Sequence, residues 1–256
     1  MKNLYLKKLL FIILIIYITP VISFSQTSYE DYKGTSFKTA DIFNKKEYDL
    51  KKEFAKKGLV WPAKYVYIRS FKFDGELEVW VKNEIKEQYK LFKIYKVCML
   101  SGTMGPKRFQ GDYQVPEGFY YINEFNPNSN YHLSLGLNYP NASDRILSDS
   151  LRPGGEIYIH GSCVSVGCIP VNDDQIEELY IITTYAKAKG QDFIPVHVFP
   201  IKYSVKKSLE FLNNAAKASY ALQQFVLQMR EAYDKFEDKK QIPIVMVGRN
   251  GRYIFN

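Results

Sequence analysis

The sequence predicts an α+β fold: a β-rich core with flanking helices and a long C-terminal helix. Three observations predict it. Aromatic residues are abundant, with 21 Tyr, 17 Phe and 2 Trp, and such side chains favour strands. Residues 65–82 read as a hairpin turning at Asp74-Gly75, a favoured two-residue turn. Residues 205–238 carry apolar side chains at helical spacing.

The elements follow in chain order. Lys7-Lys8 precede an apolar run from Leu9 to Ile18, Pro20 breaks it, and Ser23-Phe24-Ser25 offers small residues for cleavage. That order is a secretory signal over residues 1–25, and the run is short for a membrane span of about 20 residues. An uncleaved anchor is the alternative. The chain is therefore expected in the periplasm or cell envelope, touching membrane only through this segment if it is uncleaved.

A helix is expected over Lys45–Lys57, ended by Gly58. The hairpin pairs Tyr65–Phe73 with Glu76–Lys82, in which Leu77, Val79 and Val81 alternate with polar neighbours. Leu91–Leu100 reads as a strand and Ser101–Gly111 as a loop. Phe119–Asn123 and Tyr131–Leu135 read as strands, Tyr139–Asp144 as a loop, and Ile157–Ile159 as a short buried strand. Asn172 with Gln175 is a capping-box start for a helix carrying Ile176, Leu179, Thr183 and Ala186, stopped by Gly190. Phe193–Phe199 is a strand ended by Pro200. One long helix over 205–238 should set Val205, Leu209, Leu212, Ala216, Leu222, Val226, Met229, Tyr233 and Phe236 against the core. Ile242–Val247 and Arg252–Phe255 close as a hairpin.

The 256 residues carry a formal charge of +8. Residues 1–25 hold Lys2, Lys7 and Lys8 and no acid, so the remainder stands at +5. With no run of five basic residues, nucleic acid is not the expected partner. The three cysteines, Cys98, Cys163 and Cys168, leave at least one unpaired within the chain. In an oxidising compartment that favours a working cysteine over a disulfide scaffold.

Chemistry concentrates in residues 157–171, which read strand, His160-Gly161, a short loop, Ser165-Val166-Gly167-Cys168, then helix. A cysteine nucleophile needs a base to form thiolate, and histidine is poised for it near neutral pH. Gly167 lets the backbone bend so that N–H groups approach a substrate carbonyl. Zinc on His160, Cys163 and Cys168 lacks a clear fourth ligand, with His132 and His197 the only other histidines. A Cys163–Cys168 disulfide is a further alternative.

This stretch resembles the L,D-transpeptidase catalytic domain, the YkuD-like family, in its His-Gly and Ser/Thr-x-Gly-Cys. Gly105-Pro106-Lys107, Gly111-Asp112, Pro116-Glu117-Gly118-Phe119-Tyr120, Ser134-Leu135, Tyr139-Pro140-Asn141, Asp144 and the short loop are similar to its murein-transpeptidase-like branch. The resemblance spans about residues 60–200. It implies a YkuD-like catalytic core, with Cys168 as nucleophile, His160 as general base and the Gly161 carbonyl orienting the imidazole. It also implies Gly167 and Cys168 N–H groups as the oxyanion hole and Ser165 as the shaper of the loop. Val166 stands where the family commonly has histidine, and Pro170 where it commonly has arginine.

The implied organisation is 1–25 signal, 26–58 helical lead-in, 59–200 catalytic domain and 201–256 C-terminal helical extension. The implied activity is cysteine acyl transfer on peptidoglycan stem peptides, to an amine acceptor and without metal or organic cofactor. Hydrolysis of the same thioester, including release of cell-wall-attached protein, is the alternative. A non-catalytic cell-wall-binding module is the alternative from another class. Cys163 is expected as loop packing or a redox partner.

Overall fold

A computed structural model of the protein describes residues 36–99 and 101–256. The expected signal, residues 1–25, lies outside the described residues, as does Leu100. The chain runs α1 (Phe37–Lys56), β1 (Tyr65–Phe71), β2 (Glu76–Lys82), β3 (Lys90–Lys96), β4 (Gly118–Asn126) and β5 (Ser134–Leu137). It continues α2 (Ala142–Leu147), β6 (Tyr158–His160), β7 (Ile169–Pro170), α3 (Asp173–Ala188) and β8 (Ile194–Phe199). It ends α4 (Lys206–Ala216), α5 (Tyr220–Lys239), β9 (Val245–Val247) and β10 (Tyr253–Phe255). The fold is α+β, as the sequence predicts.

Eight strands form one mixed sheet in the order β3-β2-β1-β8-β4-β5-β6-β7, and β9-β10 is a separate hairpin. The pairs β1–β8 and β6–β7 are parallel. The sheet curls until the chain leaving β3 meets β7: the Cys98 N–H donates to the Pro170 carbonyl at 2.9 Å. An edge that closes on itself in this way leaves fewer open backbone groups.

Both faces of the sheet are covered, so β1 and β2 are buried along nearly their whole length instead of alternating with solvent. Val66, Ile68, Val196 and Val198 pack in one core with Phe43, Phe54, Leu179 and Ile182 from α1 and α3. Phe71, Phe119 and Phe199 point the other way, against Leu212, Met229 and Tyr233 from α4 and α5 and Tyr253 and Phe255 from β10.

Four expectations need correction. The single helix over 205–238 is two. Ser219 caps α5, accepting from the Leu222 N–H at 3.2 Å. Gln223 Nε2 donates to the Ala216 and Lys217 carbonyls at 3.1 and 3.2 Å. The two side chains satisfy both broken ends, while the apolar spacing carries on across the break. Met229, Tyr233 and Phe236 are buried as expected, whereas Val205 is exposed. Residues 139–144 are not all loop: Asn141 and Asp144 form a reciprocal cap that starts α2. Finally, α1 begins eight residues earlier than expected, because Ser36 and Thr39 cap each other's backbone N–H groups. The strand expected at 131–135 starts instead at Ser134, since His132 turns with φ 71°.

Candidate active site

The candidate residues converge at the curled end of the sheet. His160 ends β6, paired with Ser134 of β5 and with Pro170 of β7. Because Ile159 pairs with Ile169 in the parallel β6–β7 ladder, Cys168 enters β7 alongside the strand that ends in His160. The seven residues between them form a tight excursion. Ser162 and Cys163 both take left-handed backbone, φ 66° and 42°.

Two glycines are required here by geometry. A Cβ on Gly161 would lie 2.5 Å from Asp173 Oδ1 and 3.0 Å from the Tyr131 carbonyl. That space lets Asp173, in the first turn of α3, accept from the Ser162 N–H at 2.8 Å. Gly167 sits at φ 130°, open to glycine and strained for other residues.

His160 is 2% exposed. Its Nδ1 lies 2.6 Å from the Gly161 carbonyl. A carbonyl can only accept, so Nδ1 carries the proton and Nε2 is left as the basic nitrogen. Tyr131 lies against the ring, with centroids 4.7 Å apart. Burial pushes the imidazole below its ordinary value, and the Gly161 hydrogen bond partly offsets this.

Cys168 is half-buried and is the free cysteine among the described residues. Its thiol donates to the Glu156 carbonyl at 3.6 Å. Burial pushes the thiol above its ordinary range; a backbone hydrogen bond from Tyr158 and the charge of Lys107 pull it down, and the charge of Glu156 adds to the rise. Both shifts favour thiol beside neutral imidazole over thiolate beside imidazolium. Ser165 Oγ donates to the Cys168 carbonyl at 2.8 Å and accepts from the Gly167 N–H at 3.2 Å. Ser165 thus clasps the turn. The Gly167 N–H, expected to face an oxyanion, is engaged by that hydroxyl.

Cys168 and Gly167 open onto a cavity of about 590 Å³. Its other walls come from the loop 107–111 and from residues 151–157. Lys107 is buried there, donating to the Phe109 carbonyl at 2.9 Å and pairing with Asp112. The 101–111 loop expected from its glycines and prolines is thus one wall of the site.

The other cysteines differ from expectation. Cys163 is disulfide-bonded to Cys98, not to Cys168, and so is neither loop packing alone nor available to zinc. The remaining histidines sit elsewhere: His132 Nε2 is 2.7 Å from Glu177 Oε1, and His197 Nδ1 is 2.8 Å from the Tyr67 hydroxyl. Sequence reasoning missed Lys107, Arg152 and Glu156 as neighbours of Cys168. Lys107 stood in a quoted motif; Arg152 and Glu156 left no motif at all. Among the described residues, no helix is long and apolar enough to cross a membrane.

The chain is similar to known proteins over much of its length. A sequence model of the YkuD L,D-transpeptidase catalytic domain matches residues 77–198. The protein named "Putative L,D-transpeptidase YafK" in Escherichia coli K12 is 36% identical over 192 residues, covering 74% of this chain and 73% of that one. Its counterpart in strain O157:H7 matches equally. Among solved structures, the helical cell shape determining protein Pgp2 from Campylobacter jejuni is 18% identical, with a TM-score of 0.42 and 72% of this chain and 73% of that one covered. Bd1075 of Bdellovibrio bacteriovorus is 22% identical, with a TM-score of 0.39 and 69% and 64% covered.

Proposed function

Since the chain belongs to the YkuD family of L,D-transpeptidase catalytic domains, we propose that it is an exported cysteine acyltransferase of the cell envelope. Its substrate class is the peptidoglycan stem peptide. The observation that carries the reading is one unpaired thiol, Cys168, set on a cavity beside the strand that ends in His160.

The chemistry runs in two halves. His160 Nε2 takes the Cys168 thiol proton as sulfur attacks a peptide carbonyl. The tetrahedral oxyanion is held by backbone N–H groups, that of Cys168 first and that of Gly167 once Ser165 releases it. Collapse breaks the C–N bond, the proton passes to the leaving amine, and a thioester remains on Cys168. An acceptor amine then attacks the thioester, gives up a proton through His160, and forms a new amide as the thiol is restored. Residues 59–200 carry this catalytic unit, residues 26–58 lead into it, and 201–256 back its outer face. Residues 1–25 serve export.

A second reading has its own support. Leu151 and Val166, which line the cavity, are 89% and 76% exposed. Water reaches such a thioester as readily as an amine does. Hydrolysis would make the chain a peptidoglycan amidase, able to release a protein attached through an amide. The test is incubation of the mature chain with defined muropeptides and mass analysis of the products. A covalent acyl adduct on Cys168, absent from Cys168→Ala, is expected. No adduct and no product from any muropeptide would leave only a wall-binding module.

A further inference from the structure

Two charged side chains on the Cys168 cavity have no part in the steps above. Arg152 and Glu156 both line it and both are exposed. Among the described residues, neither side chain makes a hydrogen bond or a salt bridge. Their backbone is held in place. Asp149 Oδ1 accepts from the N–H groups of Leu151 and Arg152 at 2.9 and 2.7 Å, and the Arg152 carbonyl accepts from the Gln110 N–H at 2.8 Å. The Glu156 carbonyl receives the Cys168 thiol, which puts this residue directly beside the reacting atom. The third charge on the cavity, Lys107, is already engaged by Phe109 and Asp112.

Among the described residues, the cavity therefore offers one unpaired cation, Arg152, and one unpaired anion, Glu156, the latter beside the nucleophile. A purely anionic ligand would satisfy Arg152 and be repelled by Glu156. A purely cationic one would do the reverse. A group carrying both charges satisfies both, and a cavity of about 590 Å³ is ample for it. Guanidinium also offers a fork that matches a carboxylate at two points.

We propose that Arg152 and Glu156 read a free amino-acid head group, carboxylate and ammonium on one carbon, in the stem peptide whose carbonyl Cys168 attacks. The inference rests on the function proposed above. Arg152 takes the carboxylate and Glu156 the ammonium. Together they set which end of the peptide meets the thiol.

The test uses synthetic stem peptides in three forms: free head group, carboxamide and N-acetyl. Equilibrium binding is measured to the full Cys168→Ala chain, and turnover with the parent chain. The free form should bind roughly tenfold or more tightly than the carboxamide, as a charge-assisted pair implies. Adding Arg152→Ala should collapse that ratio towards one, and Arg152→Lys should keep part of it. Glu156→Gln should likewise collapse the ratio of free to N-acetyl form. Ratios near one in the Cys168→Ala chain, or ratios that persist in these variants, overturn the inference. Turnover separates the two readings. Arg152-dependent binding with no turnover by the parent chain would overturn the proposed function and keep the head-group site. Turnover without head-group discrimination would do the opposite.

Discussion

Cys98 and Cys163 are bonded across the seam where the two ends of the eight-stranded sheet meet. The bond ties the end of β3 to the excursion between His160 and Cys168. Beside it, the Cys98 N–H holds the Pro170 carbonyl. Cys168 is thereby left as the free thiol on a loop fastened at its middle.

The first prediction concerns that bond. Denatured without reductant, the described chain should titrate one thiol, and after reduction three. With a sequence separation of 65, loop-closure entropy gives about 4 kcal/mol of stabilisation. The Cys98→Ser/Cys163→Ser double variant should therefore melt well below the parent, while Cys168 keeps its reactivity in the folded chain. Equal melting temperatures with and without reductant would show that the bond is not formed.

The second prediction concerns the resting charge of the site. Burial pushes the Cys168 thiol up and the His160 imidazole down. Alkylation of Cys168 should keep accelerating above pH 8, because the thiolate fraction is still growing there. A plateau already reached near pH 6 would reveal a preformed thiolate–imidazolium pair. Acyl transfer should vanish in Cys168→Ala and fall by roughly 10²-fold or more in His160→Ala, the usual cost of a lost general base. Near-parental turnover by His160→Ala would move the base elsewhere.

A third prediction follows from His197. It is 4% exposed on β8. Burial, with a smaller push from the Arg69 charge, lowers its imidazole from 6.5 to about 3. Burial also raises the Tyr67 hydroxyl, so Tyr67 stays protonated and donates to Nδ1. Below pH 6.5 the unfolded chain takes up a proton that the folded chain refuses. His197 therefore contributes stability that is intact above 6.5 and is lost as pH falls towards 3. In ring nitrogen NMR, His197 should remain neutral, protonated on Nε2, at pH 5. A midpoint near 6.5 for that signal would contradict the packing.

What the sequence made legible was local. Asn172 and Gln175 do cap α3 reciprocally, and the β1–β2 hairpin does turn at Asp74-Gly75, though through the four residues 72–75 and not two, since β1 ends at Phe71 and Phe71 pairs with Glu76. Those contacts join residues a few positions apart, and side-chain type alone reports them. The order of residues around Cys168 was legible for the same reason, and the Ser165 hydrogen bonds within that turn are local as well. The disulfide was not. Cys98 and Cys163 meet only because β8 inserts between β1 and β4 and the sheet curls, which no pairwise spacing encodes. The break at Ser219 was hidden because apolar spacing continues through it. Arg152 and Glu156 were hidden because nothing in their neighbourhood marks a side chain left without a partner.

The last prediction separates transfer from hydrolysis. Both begin with the same thioester on Cys168, so variants of Cys168 or His160 cannot distinguish them. The difference lies in the second nucleophile. An amine at millimolar concentration competes with water at tens of molar only if it is held against the thioester, where positioning supplies a large effective molarity. One wall of the Cys168 cavity is the 107–111 loop, held by the Lys107–Asp112 pair, and Val166, which also lines the cavity, is 76% exposed. An acceptor seated on that wall should give a new amide at amine concentrations far below that of water. The fraction of new amide should rise with acceptor and then level off as the seat fills. The measurement is mass analysis of products from one donor stem peptide across an acceptor series. Saturating formation of the new amide establishes transpeptidation. Shortened donor and free amine at every acceptor concentration, with no new amide, would reject it and leave the amidase reading.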